Sequence, residues 1–436
     1  MPFQNIVDLD RAHVWHPFTQ QQTASTPIEI VAGKGSRLIG ADGNEFIDLI
    51  SSWWVNIHGH AHPRIAQAIA DQARTLEQVI FAGFTHAPAA RLAAELVHRL
   101  PEGLERVFFS DDGSTSVEVA MKMALQFWRN QGQDRRRFLG FEGGYHGDTV
   151  GAMSAGRSSG FFDAFEALLF QVDPIPYPAT WQSDDEVEEK EATALTALDR
   201  YLERHAHETA ALIVEPLVQG AGGMRMCRPI FLQDLKARLE QANVLLIFDE
   251  VMTGFGRTGT LFACQKAATT PDIICLSKGL TAGFLPLAVT VCQNKIYEAF
   301  LGETFDRAFT HGHSFTANPL GCAAALTSLQ LFEEEDTFSK LAMIEAVHTD
   351  TLTRFAHHPK LCRLRMTGTI AAMDIVADQE GYTSPVGAKL KDYCHTQGLL
   401  VRPLGNVLYL LPPYCISEPE LRRAYDIIER ALAVVN

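Results

Sequence analysis

Two polar side chains come directly after apolar runs whose lengths suit buried strands. Lys278 follows the run 273–276, and Asp249 ends the run 244–249. A lysine that is shielded from water can lose its proton and form a Schiff base with an aldehyde. A carboxylate at the end of a neighbouring strand can keep a pyridine nitrogen protonated. The pair therefore favours pyridoxal 5'-phosphate (PLP) chemistry, and the alternative is a lysine that caps a strand at the surface.

A glycine and three hydroxyl residues follow another apolar run and open a helical pattern. They are Gly113, Ser114, Thr115 and Ser116, and Thr115 with Glu118 fits a capping box. Free amides and the positive end of the helix dipole suit a phosphate dianion. Capping without any ligand is the alternative, and it is the commoner use of such a pattern.

The loop GGYHGDT at 143–149 combines an aromatic ring, an imidazole and a carboxylate. Tyr145 can stack on a planar cofactor ring, and His146 and Asp148 can orient that ring. An ordinary turn explains the glycines, but it explains the three clustered functional side chains less easily.

Three other segments resemble binding motifs. Loop 253–259 has the GxGxxG spacing of dinucleotide sites, yet no clean amphipathic helix begins there and no acidic residue ends a following strand. We interpret it as a glycine-rich active-site loop. The histidines of 58–62 and 311–314 lack the spacing and the cysteines that zinc sites usually show, so no metal site is predicted.

Further candidates for substrate contact lie near both ends of the chain. Trp53 and Trp54 belong either to the core or to one wall of an apolar substrate pocket. Arg402 follows an apolar run, with Tyr409 further along. An arginine there can bind a carboxylate through two hydrogen bonds, and a solvated arginine is the alternative.

Length and composition bound the class of protein. The chain has 436 residues and is 47% hydrophobic, which is enough for more than one domain. A net charge of −15 argues against a nucleic-acid binder or an anionic membrane surface. Eight scattered cysteines without CxxC pairs predict free thiols in a reducing compartment. With no signal peptide and no long apolar stretch, we expect a soluble, cytoplasmic protein.

Short apolar runs alternate with helical patterns through the middle of the chain, which predicts an α/β fold with a mostly parallel sheet covered on both faces. Residues 28–50 carry turn signals that indicate an antiparallel element, and strands are predicted near 361–376 and 399–411. We expect a large domain at 60–325 and a smaller α+β domain built from 1–59 and 326–436. The predicted strands of the sheet are 106–110, 137–141, 210–215, 244–249, 273–277 and 287–292.

The order of these motifs resembles the class III, fold-type I PLP-dependent aminotransferases over nearly the whole chain. The resemblance implies Lys278 as the Schiff-base lysine and Asp249 as the partner of the pyridine nitrogen. The matching blocks are GST at 113–115, GYHGDT at 144–149, VEPLVQGAGGM at 214–224, FDEVMTGFGRTG at 248–259, SKGL at 277–280 and HGHSFTANPLGCAAAL at 311–326.

The resemblance also implies the remaining site residues. Gly113 and Ser114 would bind the phosphate, with Tyr145 and Val251 on opposite faces of the ring. Loop 311–314 would reach the cofactor of a neighbouring subunit, which implies a homodimer with composite active sites in which His313 and Ser314 contact that cofactor. The implied substrate contacts are Phe18, Trp53, Trp54, Tyr145, Asp148, Lys278, Gly312, Arg402 and Tyr409.

Within the class, HVWHPFTQ at 13–20 and SSWWVNIHGH at 51–60 resemble members that aminate 8-amino-7-oxononanoate in biotin biosynthesis. Such members commonly take the amino group from S-adenosylmethionine, and they carry tyrosine where this chain has Phe18. Phe18 and the segment 311–323 are more similar to relatives that take the amino group from lysine. The resemblance implies S-adenosylmethionine as donor. The alternatives are lysine as donor to the same acceptor, or another class III aminotransferase that acts on an ω-amino acid or a diamine.

Overall fold

A seven-stranded sheet forms the centre of the protein, for which a computed structural model describes residues 5–157 and 160–434. The side chains of strand Leu245–Asp249 alternate between two apolar cores, with Leu246 and Phe248 in one and Leu245 and Ile247 in the other. Both faces are therefore covered, which explains why the strands read as continuous apolar runs. In order across the sheet, the strands are Leu104–Ser110, Ala288–Gln293, Ile273–Leu276, Leu245–Asp249, Thr209–Val214, Arg137–Phe141 and Asp173–Ile175.

The predicted α/β fold with a mostly parallel sheet is confirmed. Strand Leu245–Asp249 runs parallel to both of its neighbours, whereas Ala288–Gln293 runs antiparallel to both of its own. Asp249 lies directly beside Cys275 in the register of the parallel pair. Residues that follow these strands consequently leave the sheet at one edge, where ligands bind in folds of this kind.

Strands from the two ends of the chain build the smaller α+β part. Ile30–Lys34, Arg37–Gly40 and Glu45–Asp48 form an antiparallel sheet, and Leu399–Leu400 joins it parallel to the third strand. Because residues far apart in the chain share this sheet, both termini belong to one structural unit. The boundaries at residues 59 and 325 stay a prediction.

The segment 399–411, predicted as strand, is divided. Leu399–Leu400 belongs to the N-terminal sheet, whereas Val407–Leu410 pairs with Ile370–Ile375 in a second sheet that also contains Leu361–Thr367. Gly405 lies in the left-handed region with φ of 60°, a conformation that glycine adopts without steric cost. The turn at this glycine separates the two strands.

All eight cysteines are free thiols. Helices cover the sheets. Along residues 5–157 and 160–434, no helix is both long and apolar enough to cross a membrane. The helices are Ile6–His13, Pro63–Thr75, Ala87–Arg99, Gly113–Asn130, Val150–Ala155, Val187–His205, Pro229–Gln241, Ala263–Lys266, Asn294–Ala299, Pro319–Glu334, Thr337–Phe355, Val386–Thr396 and Glu418–Val434.

Candidate active site

A cavity of about 670 Å³ lies at the edge of the sheet where the parallel strands end. Its volume is in the range of small-molecule sites. Apolar side chains such as Met252 and Phe284 line it together with many of the residues that the sequence singled out. The predicted site residues in its lining are Trp54, Gly113, Ser114, Tyr145, His146, Asp148, Asp249, Val251 and Lys278.

Lys278 begins a short 3-10 turn just after strand Ile273–Leu276. Its φ of 44° is in the left-handed region, a strain typical of residues that the surrounding structure holds in place. The amine lies 4.7 Å from the centre of the Trp54 ring. Burial lowers the pKa of this amine, and the charges of Asp249 and Glu215 only partly oppose the effect. The fraction of free, nucleophilic amine near neutral pH is therefore increased.

Asp249 is held from two sides at the end of its strand. One carboxylate oxygen lies 2.7 Å from Nδ1 of His146, and the other accepts the backbone N–H of Val251 at 3.1 Å. Burial disfavours the charged form of His146, but the hydrogen bond and the charge of Asp249 outweigh it and raise the pKa of the imidazole. These two contacts fix the orientation of the Asp249 carboxylate, and the imidazole of His146 balances its negative charge when protonated.

Glu215 lies in the segment 214–224, and the sequence patterns indicate no role for it. It follows strand Thr209–Val214 and lines the same cavity. Its carboxylate accepts the backbone N–H of Tyr145 at 3.1 Å and that of Gly220 at 2.9 Å. Burial raises the pKa of this carboxyl to about 7. A carboxylate directly after an apolar run was the signal that identified Asp249, and it could have identified Glu215 as well.

The start of helix Gly113–Asn130 faces the cavity. Its capping box joins Asp112 to Thr115, so the predicted box between Thr115 and Glu118 is wrong. The carboxylate of Asp112 already accepts the N–H of Thr115 at 2.9 Å, and Glu118 instead binds the amide of Gly151. Because the first turn of a helix has N–H groups without intrahelical partners, this end can bind an anion.

Close contacts at this helix start require small side chains. A Cβ on Gly113 would lie 2.5 Å from Cγ1 of Val251, and one on Gly147 would lie 2.3 Å from Cβ of Ser114. The hydroxyl of Ser114 also accepts the backbone N–H of Thr149 at 3.0 Å. The helix start, Val251 and the loop after Tyr145 are thus packed against one another around the cavity.

Tyr145 is positioned through its backbone, its hydroxyl and its ring. The hydroxyl donates to Oδ1 of Asp148 at 3.0 Å, and the ring stacks on Phe162 with centroids 6.0 Å apart. Burial and the charge of Asp148 raise the pKa of the phenol above its ordinary value, so the hydroxyl remains a neutral donor.

A second group of predicted residues is in contact with Trp53 and Trp54. The ring of Trp53 contacts Phe18 at 5.8 Å between centroids and the guanidinium of Arg402 at 4.3 Å. Tyr409 is fully buried, and its hydroxyl accepts the indole N–H of Trp54 at 3.0 Å. Tyr409 therefore holds the indole of Trp54 in place. Its buried position gives no support to the predicted direct contact with substrate.

The residues of loop 311–314 do not line the cavity in the single chain. Gly312 and Ser314 are exposed, and the backbone oxygen of Ser314 accepts a hydrogen bond from Gln78. The ring of His313 approaches Asp111, which lines the cavity, at 3.0 Å. Within one chain, the loop thus contacts a residue of the cavity lining but does not itself line the cavity.

A lysine and an aspartate at adjacent strand ends, above a mostly parallel sheet and beside a helix start, are typical of fold-type I aminotransferases. The family model for class III aminotransferases matches residues 18–432, and the chain belongs to this family. The predicted family and enzyme class are therefore confirmed.

Three relatives are similar over almost their whole length. The chain is 58% identical over 416 residues to the adenosylmethionine-8-amino-7-oxononanoate aminotransferase of Synechococcus elongatus, which covers 95% of this chain and 97% of that protein. The crystal structure of the enzyme of that name from Methanocaldococcus jannaschii has a TM-score of 0.92 at 33% identity and covers 99% of each chain. A PLP-bound amine transaminase from an uncultivated Pseudomonas species has a TM-score of 0.89 at 31% identity and covers 97% of this chain and 98% of its own.

Proposed function

We propose that this protein transfers an amino group from S-adenosylmethionine to 8-amino-7-oxononanoate, in biotin biosynthesis, with PLP bound at Lys278. One observation carries the proposal. The amine of Lys278, whose pKa is lowered, and the carboxylate of Asp249, which is fixed by His146, line the same cavity. The names of the similar enzymes from Synechococcus elongatus and Methanocaldococcus jannaschii support the choice of substrates.

The residues present fit the cofactor. The helix start at Gly113 and Ser114 can bind a phosphate, and the close approach of Gly113 to Val251 leaves no room for a larger side chain. Tyr145 and Val251 would contact the two faces of the ring, Asp249 would bind its nitrogen, and Lys278 would bind its aldehyde carbon. The cofactor supplies an electron sink for the carbanion that forms when a proton leaves the donor.

The chain's own residues supply binding and proton transfer. Lys278 would hold the cofactor covalently and, once released, would act as a base, and its lowered pKa favours the free amine near neutral pH. Asp249 would stabilise a positive charge on the ring nitrogen, and the hydrogen bond with His146 fixes the orientation of the carboxylate. The buried strand ends exclude water from these charges, which strengthens their interaction.

The substrate contacts follow from the chemistry of the acceptor. An alkyl chain suits the apolar surface of Trp54, Met252 and Phe284, and Arg402 suits a terminal carboxylate through a bidentate pair. The guanidinium of Arg402 is already oriented by the ring of Trp53. Because orientation is set before binding, less side-chain freedom is lost when the substrate binds.

We further propose a homodimer in which His313 and Ser314 of one chain complete the cofactor site of the other. Phe315, next to this loop in the chain, is 59% exposed, and Ile80, two residues after the Gln78 that donates to Ser314, is 63% exposed. Apolar groups exposed together are typical of protein interfaces. The absence of Gly312, His313 and Ser314 from the cavity lining of their own chain also supports a contribution to the partner.

The amino donor is tested by single-turnover conversion of the PLP-loaded enzyme with S-adenosylmethionine or lysine at matched concentration. We expect faster conversion by S-adenosylmethionine, and faster conversion by lysine would contradict the choice. Phe18→Tyr adds one hydroxyl, and one neutral hydrogen bond is worth about 0.5–1.5 kcal/mol. The variant should change the preference by roughly tenfold at most. Activity with pyruvate and none with 8-amino-7-oxononanoate would instead indicate an ω-amino acid or diamine aminotransferase.

A further inference from the structure

Residues 51–54, which carry both tryptophans of the proposed substrate site, form a left-handed turn. The φ angles of Ser51, Ser52, Trp53 and Trp54 are 51°, 46°, 72° and 75°. L-residues avoid this region because Cβ approaches the following carbonyl oxygen, and they normally enter it one at a time. A run of this kind persists only where the surrounding structure holds it.

Asp48 binds both the start of the turn and a histidine that follows it. One of its carboxylate oxygens accepts the N–H of Ile50 at 3.1 Å. The other accepts the hydroxyl of Ser52 at 2.9 Å and lies 2.9 Å from Nε2 of His60. The carboxylate is fully buried, so its orientation depends on these partners.

His60 is itself fixed in place. Its Nδ1 lies 3.1 Å from the side-chain amide of Asn56, and its backbone forms a two-way hydrogen-bonded bridge with Gly35. A Cβ on Gly33 would lie 2.7 Å from Cβ of His60, so the histidine packs directly on the backbone of the first strand. His60 therefore links the first strand of the N-terminal sheet to Asp48, the last residue of the third strand, and through Asp48 to the turn.

We propose that Asp48 and His60 are positioning residues for substrate recognition. They hold residues 51–54 in the left-handed turn, which places Trp54 beside the amine of Lys278 and Trp53 against Arg402. The inference rests on the proposed substrate site and assigns a role to His60, one of the histidines of segment 58–62. Two further contacts act on the same turn: the hydroxyl of Ser51 donates to the oxygen of Leu411 at 2.7 Å, and Arg257 donates to that of Trp54.

The test compares His60→Ala with His60→Gln, whose side-chain amide can still donate to Asp48. We expect His60→Ala to raise the KM for 8-amino-7-oxononanoate by about tenfold to a hundredfold, as for the loss of a hydrogen bond to a charged group. The kcat at saturating acceptor should change far less, and His60→Gln should restore most of the KM.

A second pair of variants, which differ in backbone strain at residue 52, distinguishes a role of His60 in positioning the turn from a general effect on the stability of the protein. In the His60→Ala background, Ser52→Gly and Ser52→Ala remove the same hydroxyl, but only glycine adopts the left-handed conformation without cost. The glycine variant should therefore recover the KM relative to the alanine variant by about fivefold to thirtyfold. Near-ultraviolet circular dichroism of the cofactor-free protein should report the same recovery, because it senses the packing of the tryptophans without substrate.

Two results would overturn the inference. One is a His60→Ala variant that unfolds at lower temperature with an unchanged KM. The other is an equal KM and an equal dichroism spectrum for glycine and alanine at position 52 in the His60→Ala background. Trp54→Ala separates the two proposals: an unchanged KM in that variant refutes the substrate site, and the dichroism comparison alone then decides the positioning role.

Discussion

Asp249→Asn is the substitution that most directly tests the proposed site, because it removes a charge with almost no change of shape. The asparagine oxygen can keep the contact with the N–H of Val251, which is 3.1 Å long in the native protein. Its amide group would then face Nδ1 of His146, where the native carboxylate oxygen lies at 2.7 Å. The carboxylate that raises the pKa of His146 is lost as well. The ring nitrogen of the cofactor would consequently face a neutral side chain.

The expected loss can be estimated from the burial of the pair. Asp249 is only 4% exposed, and its partner His146 is equally buried. Removal of one member of a buried ion pair costs about 3–5 kcal/mol. If this energy acts on the charged ring in the transition state, kcat should fall by about two to four orders of magnitude. The measurement is steady-state kcat and KM for 8-amino-7-oxononanoate, together with the affinity for PLP.

Asp272→Asn is the matched control. Asp272 is another buried carboxylate of the same sheet, 2% exposed, and it pairs with Lys236 at 2.9 Å and with Lys295. It precedes strand Ile273–Leu276, so it lies at the end opposite Lys278. This variant should unfold at lower temperature while each folded molecule keeps its kcat. A kcat for Asp249→Asn within about tenfold of the native value, or an equal loss in both variants, would refute the reasoning.

Three further outcomes are expected. Lys278→Ala should abolish turnover, and borohydride reduction of the PLP-loaded protein should label Lys278; a label on Lys122 or Lys266 would contradict the assignment. The folded-state pKa of Glu215 is about 7, above the usual 4.5, so the stability it contributes is complete below about pH 4.5 and is lost as pH rises through about 7. The unfolding free energy of Glu215→Gln should accordingly improve relative to the native protein between about pH 5 and about pH 8, and a constant difference would contradict the raised pKa. Mixed dimers of Lys278→Ala and a Ser314→Ala or deleted-loop chain should regain activity, and an active monomer in gel filtration would refute the composite site.

The sequence could predict the part of the site that depends on the sheet. Parallel strands end at one edge, so polar residues that directly follow apolar runs are brought together, as Asp249 and Lys278 are. The same rule applied to Glu215 would have added a third group. The capping box was predicted wrongly because Asp112, a strong N-cap residue, lies one position before the helix and competes with the hydroxyl residues inside it.

The rest of the candidate site depends on contacts between distant segments. Nothing in the letters SSWW indicates a left-handed turn, which is held by Asp48, His60 and the oxygen of Leu411. The contacts of Trp53 with Phe18 and with Arg402 likewise join the first and last parts of the chain. Local propensity contains no information about such partners, because the tertiary structure selects the conformation.

The sharing of one sheet by both ends of the chain has a consequence for folding during synthesis. The hydroxyl of Ser51 finds its acceptor 360 residues later, and the indole of Trp54 finds Tyr409 355 residues later. A chain that leaves the ribosome N-terminus first can complete the central sheet well before these partners exist. The indole N–H of Trp54 therefore lacks its acceptor, Tyr409, until nearly the whole polypeptide has been made. Contacts between residues so far apart in the sequence also form late, because the conformational entropy of a large loop must be lost first. A ribosome-bound chain arrested before residue 399 should therefore contain a folded sheet and Lys278, yet have no fixed environment for Trp54.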